Sequence, residues 1–162
     1  MCKLLKIRQA WKSIVHAARH NYSVGQKSMH PVFRNRVWEL SVTSPWRATD
    51  CEHCVEITQP DGVGAIHISN ARKKEGLVTP AETMERTKAE CPEDTDVESV
   101  SCGDFKGHTA EYVDWHAGSY WKKWFVACRS DLLFITYTCK RGEEELEIAQ
   151  VAALLASLRS TA

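Results

Sequence analysis

Between Val97 and Cys139 the chain falls into four short β-forming runs: Val97–Cys102, Thr109–Trp115, Tyr120–Cys128 and Leu132–Cys139. The breaks between them are Gly103-Asp-Phe-Lys-Gly107, His116-Ala-Gly118-Ser119 and Arg129-Ser-Asp131, and glycine at such breaks permits the positive φ that tight turns use. Connections of roughly 3–5 residues join antiparallel neighbours, because a parallel crossover takes about a dozen or more. The pattern therefore predicts a β-meander. Its last run is apolar at nearly every position, which predicts a strand in the middle of the sheet with both faces covered. One cover follows directly: from about Glu143 to Ser157, the residues Ile148, Val151, Leu155 and Leu158 recur at helical spacing. Glu143, Glu144 and Glu145 favour the start of that helix through the macrodipole.

Upstream, Val37-Trp-Glu-Leu-Ser-Val42 alternates and predicts the first strand of the body, ended by Ser44-Pro45-Trp46. Cys51 to Thr58 alternates as well, and after the turn residues Pro60-Asp61-Gly62 the run Gly64–Ser69 returns as its hairpin partner. Thr79-Pro80-Ala81-Glu82 is a capping-box pattern with proline at the first helical position, which predicts a helix from Pro80 to about Glu90, stopped by Pro92. At the N-terminus, Leu4, Leu5, Ile7, Trp11, Ile14 and Val15 form one stripe of a basic amphipathic segment. Residues 1–30 are read as an extension, helical or else lying outside the native product if translation starts at Met29. Residues 37–159 are read as a single domain of the α+β class.

Those elements, with the local phrases Ser44-Pro45-Trp46, Asp61-Gly-Val-Gly-Ala-Ile-His-Ile-Ser69, Gly103-Asp-Phe-Lys-Gly107, the strand around Trp124 and Leu133-Phe-Ile-Thr-Tyr137, resemble the PsbP/Mog-like superfamily. The resemblance spans about residues 37–159 and rests on turns and core positions. It implies an antiparallel sheet with helices packed on its faces, an α/β/α sandwich, in a small bacterial protein. Members of the superfamily include an extrinsic subunit of photosystem II, a nuclear import factor and secretion-effector chaperones, and what they share is binding to another protein. No partner-contact motif of theirs maps onto this chain.

Composition narrows the function classes. A 162-residue chain with 43% hydrophobic residues can bury a full core without cofactor or staple. Net charge is zero, yet residues 1–28 carry six Lys/Arg and no acid, which leaves the remainder with 15 basic against 21 acidic residues. A mildly acidic body argues against a nucleic-acid surface. No run approaches the roughly 18 apolar residues of a membrane span, and the first residues lack an uninterrupted signal-peptide core, so a cytoplasmic location is expected. Seven cysteines fit reduced thiols better than a disulfide framework, and Cys102, Cys128 and Cys139, inside strands, are expected as small buried hydrophobes.

Three groups are candidates for chemistry or binding. Cys51-Glu-His-Cys54, with His67 on the next strand, carries metal-ligand residue types, but zinc normally takes four ligands and strand alternation sends Cys54 to the face opposite Cys51 and His53. A thioredoxin-like role wants the cysteine pair at a helix N-terminus, and these flanks read as strand. His108 and His116 flank Glu111 and Asp114, but the two histidines are expected in turns at opposite strand ends, as solvated surface. Trp115, Tyr120, Trp121 and Trp124 form the one concentrated aromatic group, either core or, if exposed at the hairpin, a protein-binding patch. With no G-x-S-x-G, H-E-x-x-H or phosphate loop in the chain, the expectation is a non-enzymatic, cofactor-free domain that binds a protein or peptide in the manner of a chaperone or adaptor. The alternative is a metal- or thiol-dependent protein using Cys51, His53 and Cys54.

Overall fold

The computed structural model describes residues 31–161; the expectations for the basic N-terminal extension lie outside the described residues. A seven-stranded antiparallel sheet dominates, built from β3 (Arg47–Asp50), β4 (Val55–Thr58), β5 (Gly64–Arg72), β6 (Val97–Cys102), β7 (Phe105–Asp114), β8 (Ser119–Cys128) and β9 (Asp131–Lys140). Its spatial order is β3-β4-β5-β9-β8-β7-β6, so β9 is the central strand, as its continuous apolar run predicts. A smaller sheet has β2 (Trp38–Ser41) between β1 (Val32–Arg34) and β10 (Arg159–Ser160). Two α-helices are present among the described residues: α1 (Pro80–Glu90) and α2 (Ile148–Leu155), the latter preceded by a 3₁₀ turn at Glu144–Leu146.

One face of the large sheet is the core. Register places Trp124 opposite Ile135 and Val126 opposite Leu133, and Ile135 in turn lies opposite Ile68. These side chains share one cluster with Trp38 and Leu40 of β2, with Val151, Leu154 and Leu155 of α2, and with Leu158 beyond it. The opposite face of β9 is covered only in part: Thr136 is buried, while Leu132, Phe134 and Thr138 are half-exposed. The expectation of complete cover on both faces is corrected accordingly. α1 packs on β6, β7 and β8.

α1 starts where the sequence places it. The Thr79 hydroxyl accepts from the Glu82 amide at 3.3 Å and the Glu82 carboxylate accepts from the Thr79 amide at 2.8 Å. Such a reciprocal cap satisfies two helix-end donors and is worth about 1 kcal/mol. α2, expected from Glu143, begins five residues later. Glu144 turns back to accept from the Gly142 amide, and Glu147 directs its carboxylate inward, accepting from the Val63 and Gly64 amides (3.1 and 3.0 Å) and from the Tyr137 hydroxyl (3.1 Å). The acidic run thus caps the β4–β5 loop and the chain ahead of α2 instead of filling the helix's first turn.

Two further boundaries differ from the expected ones, and both matter for the candidate sites. Cys51–Thr58 is not one strand: Cys51 to Cys54 turn the chain between β3 and β4, closed by the Cys51 amide donating to the Cys54 carbonyl at 2.9 Å. β7 begins at Phe105, not Thr109, because only Gly103 (φ +59°) is a turn glycine. Gly107 lies inside the strand opposite Val126, with its Cα against the Phe125 carbonyl where a side chain would not fit.

Candidate functional site

The shift in β7 moves His108 from the expected surface turn into the strand interior. Its ring is only 5% exposed, and Nδ1 lies 2.8 Å from Oγ1 of Thr83 on α1. The reading of His108 as solvated surface is therefore wrong, and its cause is the misplaced glycine turn. His116 is exposed in the β7–β8 turn, its backbone amide held by Asp114 Oδ1 at 3.0 Å. Glu111 accepts from Tyr120 Oη (2.8 Å) and Lys122 Nζ (2.7 Å), and the lysine holds its carboxyl below the usual range despite partial burial. The two histidines and two carboxylates thus serve separate local contacts and share no site.

The aromatic group divides in the same way. Tyr120 and Trp124 are core residues, 7% and 4% exposed, and burial, followed by the neighbouring Glu111 carboxylate, pushes the Tyr120 phenol up. Trp121 is half-buried on the opposite face, where Lys123 Nζ lies 5.8 Å from its ring centroid and 5.3 Å from that of Tyr112. The same ammonium donates to the Glu90 carbonyl at the end of α1, at 2.6 Å. Trp115 alone is largely solvent-accessible, 68% exposed at the tip of the β7–β8 hairpin. The Arg141 guanidinium, just after β9, stacks 3.6 Å above its ring centroid. Backbone geometry fixes both: Asp114 accepts from the His116 and Ala117 amides, Gly118 takes φ +65°, and the Arg141 amide donates to the Gly118 carbonyl at 3.0 Å. Nothing in the sequence marks Arg141: its stacking depends on the hairpin tip lying beside the end of β9, which no local pattern encodes.

At the β3–β4 turn, Cys51 and His53 are exposed and Cys54 is half-buried. Burial, followed by the adjacent Cys51, pushes the Cys54 thiol up, the reverse of the lowered value an activated cysteine pair needs. His67 lies opposite Glu56, with Nε2 3.1 Å from its carboxylate. Among the described residues no group of three or more His, Cys, Asp and Glu side chains is placed to hold a metal ion.

A cleft of about 450 Å³ lies between the first turn of α1 and strands β6 and β7. Its polar wall comprises Thr79, Thr83, Ser99, Ser101, Lys106 and His108. Sequence reading missed it, since it depends on His108 being in the strand and on α1 crossing above. Among the described residues no helix is long and apolar enough to cross a membrane.

No protein-family model and no curated protein matches the chain. Solved structures do. The fold is similar to the solution structure of cyanobacterial PsbP (CyanoP) from Synechocystis sp. PCC 6803, with a TM-score of 0.57 at 8% identity, over 86% of this chain and 98% of that one. It is also similar to a crystal structure from Bacteroides thetaiotaomicron VPI-5482, with a TM-score of 0.53 at 14% identity, over 77% of this chain but only 45% of that longer one. At such identities the likeness concerns the fold alone: the chain has a PsbP-like, mostly antiparallel α+β fold.

Proposed function

We propose that this is a non-catalytic protein-binding domain, chaperone- or adaptor-like, that engages a protein or peptide through the tip formed by Trp115 and Arg141. The observation that carries the reading is the tryptophan ring, 68% exposed yet held in place by a guanidinium 3.6 Å above it. Tryptophan and arginine are the side chains most enriched at the energetic centres of protein interfaces, and a pre-stacked pair loses less conformational entropy on docking than two free ones. Trp121, half-buried and opposite Tyr112, is a second aromatic side chain of the same hairpin.

The same proposal takes the architecture as an α/β/α sandwich of the wider PsbP/Mog-like kind. In its support, α1 meets the sheet face bearing His108 and Lys123, whereas α2 joins the core with Trp124 and Ile135. A cytoplasmic setting fits the six free thiols of the described residues.

Capture with the full chain from extracts of its host tests the reading. The expected result is one partner in near-stoichiometric amount, lost with Trp115→Ala while circular dichroism and melting temperature are unchanged. Recovery of no such partner, together with turnover of small substrates by the purified protein, would overturn it.

A further inference from the structure

The cleft under α1 has a chemistry of its own: it shares β7 and β8 with the hairpin that carries Trp115, but its polar wall is formed with α1 and β6 and does not include Trp115. Thr83 is 1% exposed, and its hydroxyl donates to the Pro80 carbonyl at 2.9 Å. A hydroxyl has one proton to give; when Thr83 spends it on the Pro80 carbonyl, its oxygen accepts across the 2.8 Å contact and His108 takes the tautomer that donates from Nδ1. In the neutral imidazole this leaves Nε2 with its lone pair. Nε2 has no hydrogen-bond partner among the described residues, and His108 is one of the residues that line the cleft. In that tautomer a histidine more than nine-tenths buried offers an unpartnered hydrogen-bond acceptor beside a space large enough for a small molecule.

The rest of the wall sets the charge. Its polar members other than His108 are hydroxyls and one ammonium; it contains no carboxylate. Lys106 is exposed at the opening and has no acidic partner among the described residues. The helix end is not the anion's partner, because the Glu82 carboxylate already caps it and pairs with Lys73 at 2.7 Å. Lys106 and His108 are two residues apart on one strand, so they project to the same face roughly 7 Å apart. Val78, Val100 and Ala127 line the cleft with apolar atoms.

We propose that this cleft binds a small organic anion carrying a hydrogen-bond donor at its far end, with Lys106 pairing to the charge and His108 Nε2 accepting from the donor. The proposal stands whether or not the protein-binding reading does.

Three probes test it on the isotope-labelled full chain by nuclear magnetic resonance: 4-hydroxybenzoate, benzoate and inorganic phosphate. The first has a carboxylate and a hydroxyl at opposite ends of an apolar ring, the second lacks the donor, and the third lacks the apolar body. Saturable amide shifts with 4-hydroxybenzoate, confined to residues 78–83, 99–101 and 106–108, are expected, with the His108 Nε2 resonance moving in step. Benzoate should bind about tenfold more weakly, and Lys106→Gln should weaken 4-hydroxybenzoate by a similar factor. No saturable shift, shifts elsewhere, equal binding of benzoate, unchanged affinity in Lys106→Gln, or a response to phosphate alone would each overturn it.

Discussion

His108 Nδ1 and Thr83 Oγ1, 2.8 Å apart, tie the middle of β7 to the first turns of α1. Both residues are almost fully buried, at 5% and 1% exposed. Removing one partner leaves the other desolvated and unpaired, which costs about 1–3 kcal/mol. Thr83→Ala and His108→Ala should each destabilise by that order, and the double variant should reveal a coupling of at least about 0.5 kcal/mol. Urea denaturation of the four proteins measures it. Additive losses would mean that the bond contributes nothing beyond packing.

The α2 face gives a sharper contrast. Leu155, 2% exposed, shares the core with Trp38 and Ile135, so Leu155→Ala should cost about 2–5 kcal/mol through lost transfer energy and the cavity left behind. His116→Ala, at an exposed turn whose geometry depends on its backbone amide and not its ring, should stay within about 0.5 kcal/mol.

Much of this packing was legible in the sequence, and the failures share a cause. The four meander strands, α1 with its cap and the central position of β9 all follow from local pattern, because each is decided by period, turn chemistry or a continuous apolar run. His108, Arg141 and Glu147 were misread or missed because tertiary contact decides each of them: Gly107 serves a close strand approach instead of a turn, Arg141 stacks across a hairpin tip, and Glu147 leaves the helix for a loop 84 positions upstream. Alternation continues through Cys51-Glu-His-Cys54 and so predicts strand; the actual turn is made by a backbone bond that alternation cannot reveal.

Glu147 is itself a test. It is 4% exposed and accepts from three donors, two of them the amides of Val63, at the end of the β4–β5 loop, and Gly64, the first residue of β5. Bonds to a charged group contribute about 1.5–3 kcal/mol each, so Glu147→Ala should cost at least about 2 kcal/mol and speed amide exchange at Val63 and Gly64. Unchanged exchange at those two amides would show that the carboxylate does not hold the loop.

Acid should loosen α1 through its cap. Lys73, then the amide and hydroxyl of Thr79, lower the Glu82 carboxyl to about 2. Its folded value lies below the unfolded one of about 4.3, so its stabilising contribution is complete above that pH and is lost as pH falls through about 2. Exchange of the first-turn amides of α1 should accelerate between those limits, and Glu82→Gln should flatten the profile. A profile identical in the variant would remove the cap from the account.

Thiol reactivity separates the cysteines. Burial pushes Cys102 up to about 12 and raises Cys139 and Cys54 as well. Among the cysteines of the described residues, iodoacetamide at neutral pH should label exposed Cys51 first in the native protein and reach Cys102 only on unfolding. Cys54 reacting faster than free cysteine would instead mark an activated pair.

The affinity of the captured partner for three forms of the chain tests the central claim most directly. Trp115→Ala should weaken binding by at least about 2 kcal/mol, close to thirtyfold, and Arg141→Ala, which frees the ring, by a smaller factor. Met84→Ala, on exposed α1, should leave it unchanged. Binding that survives both Trp115→Ala and Arg141→Ala within twofold, while Met84→Ala abolishes it, would contradict the account.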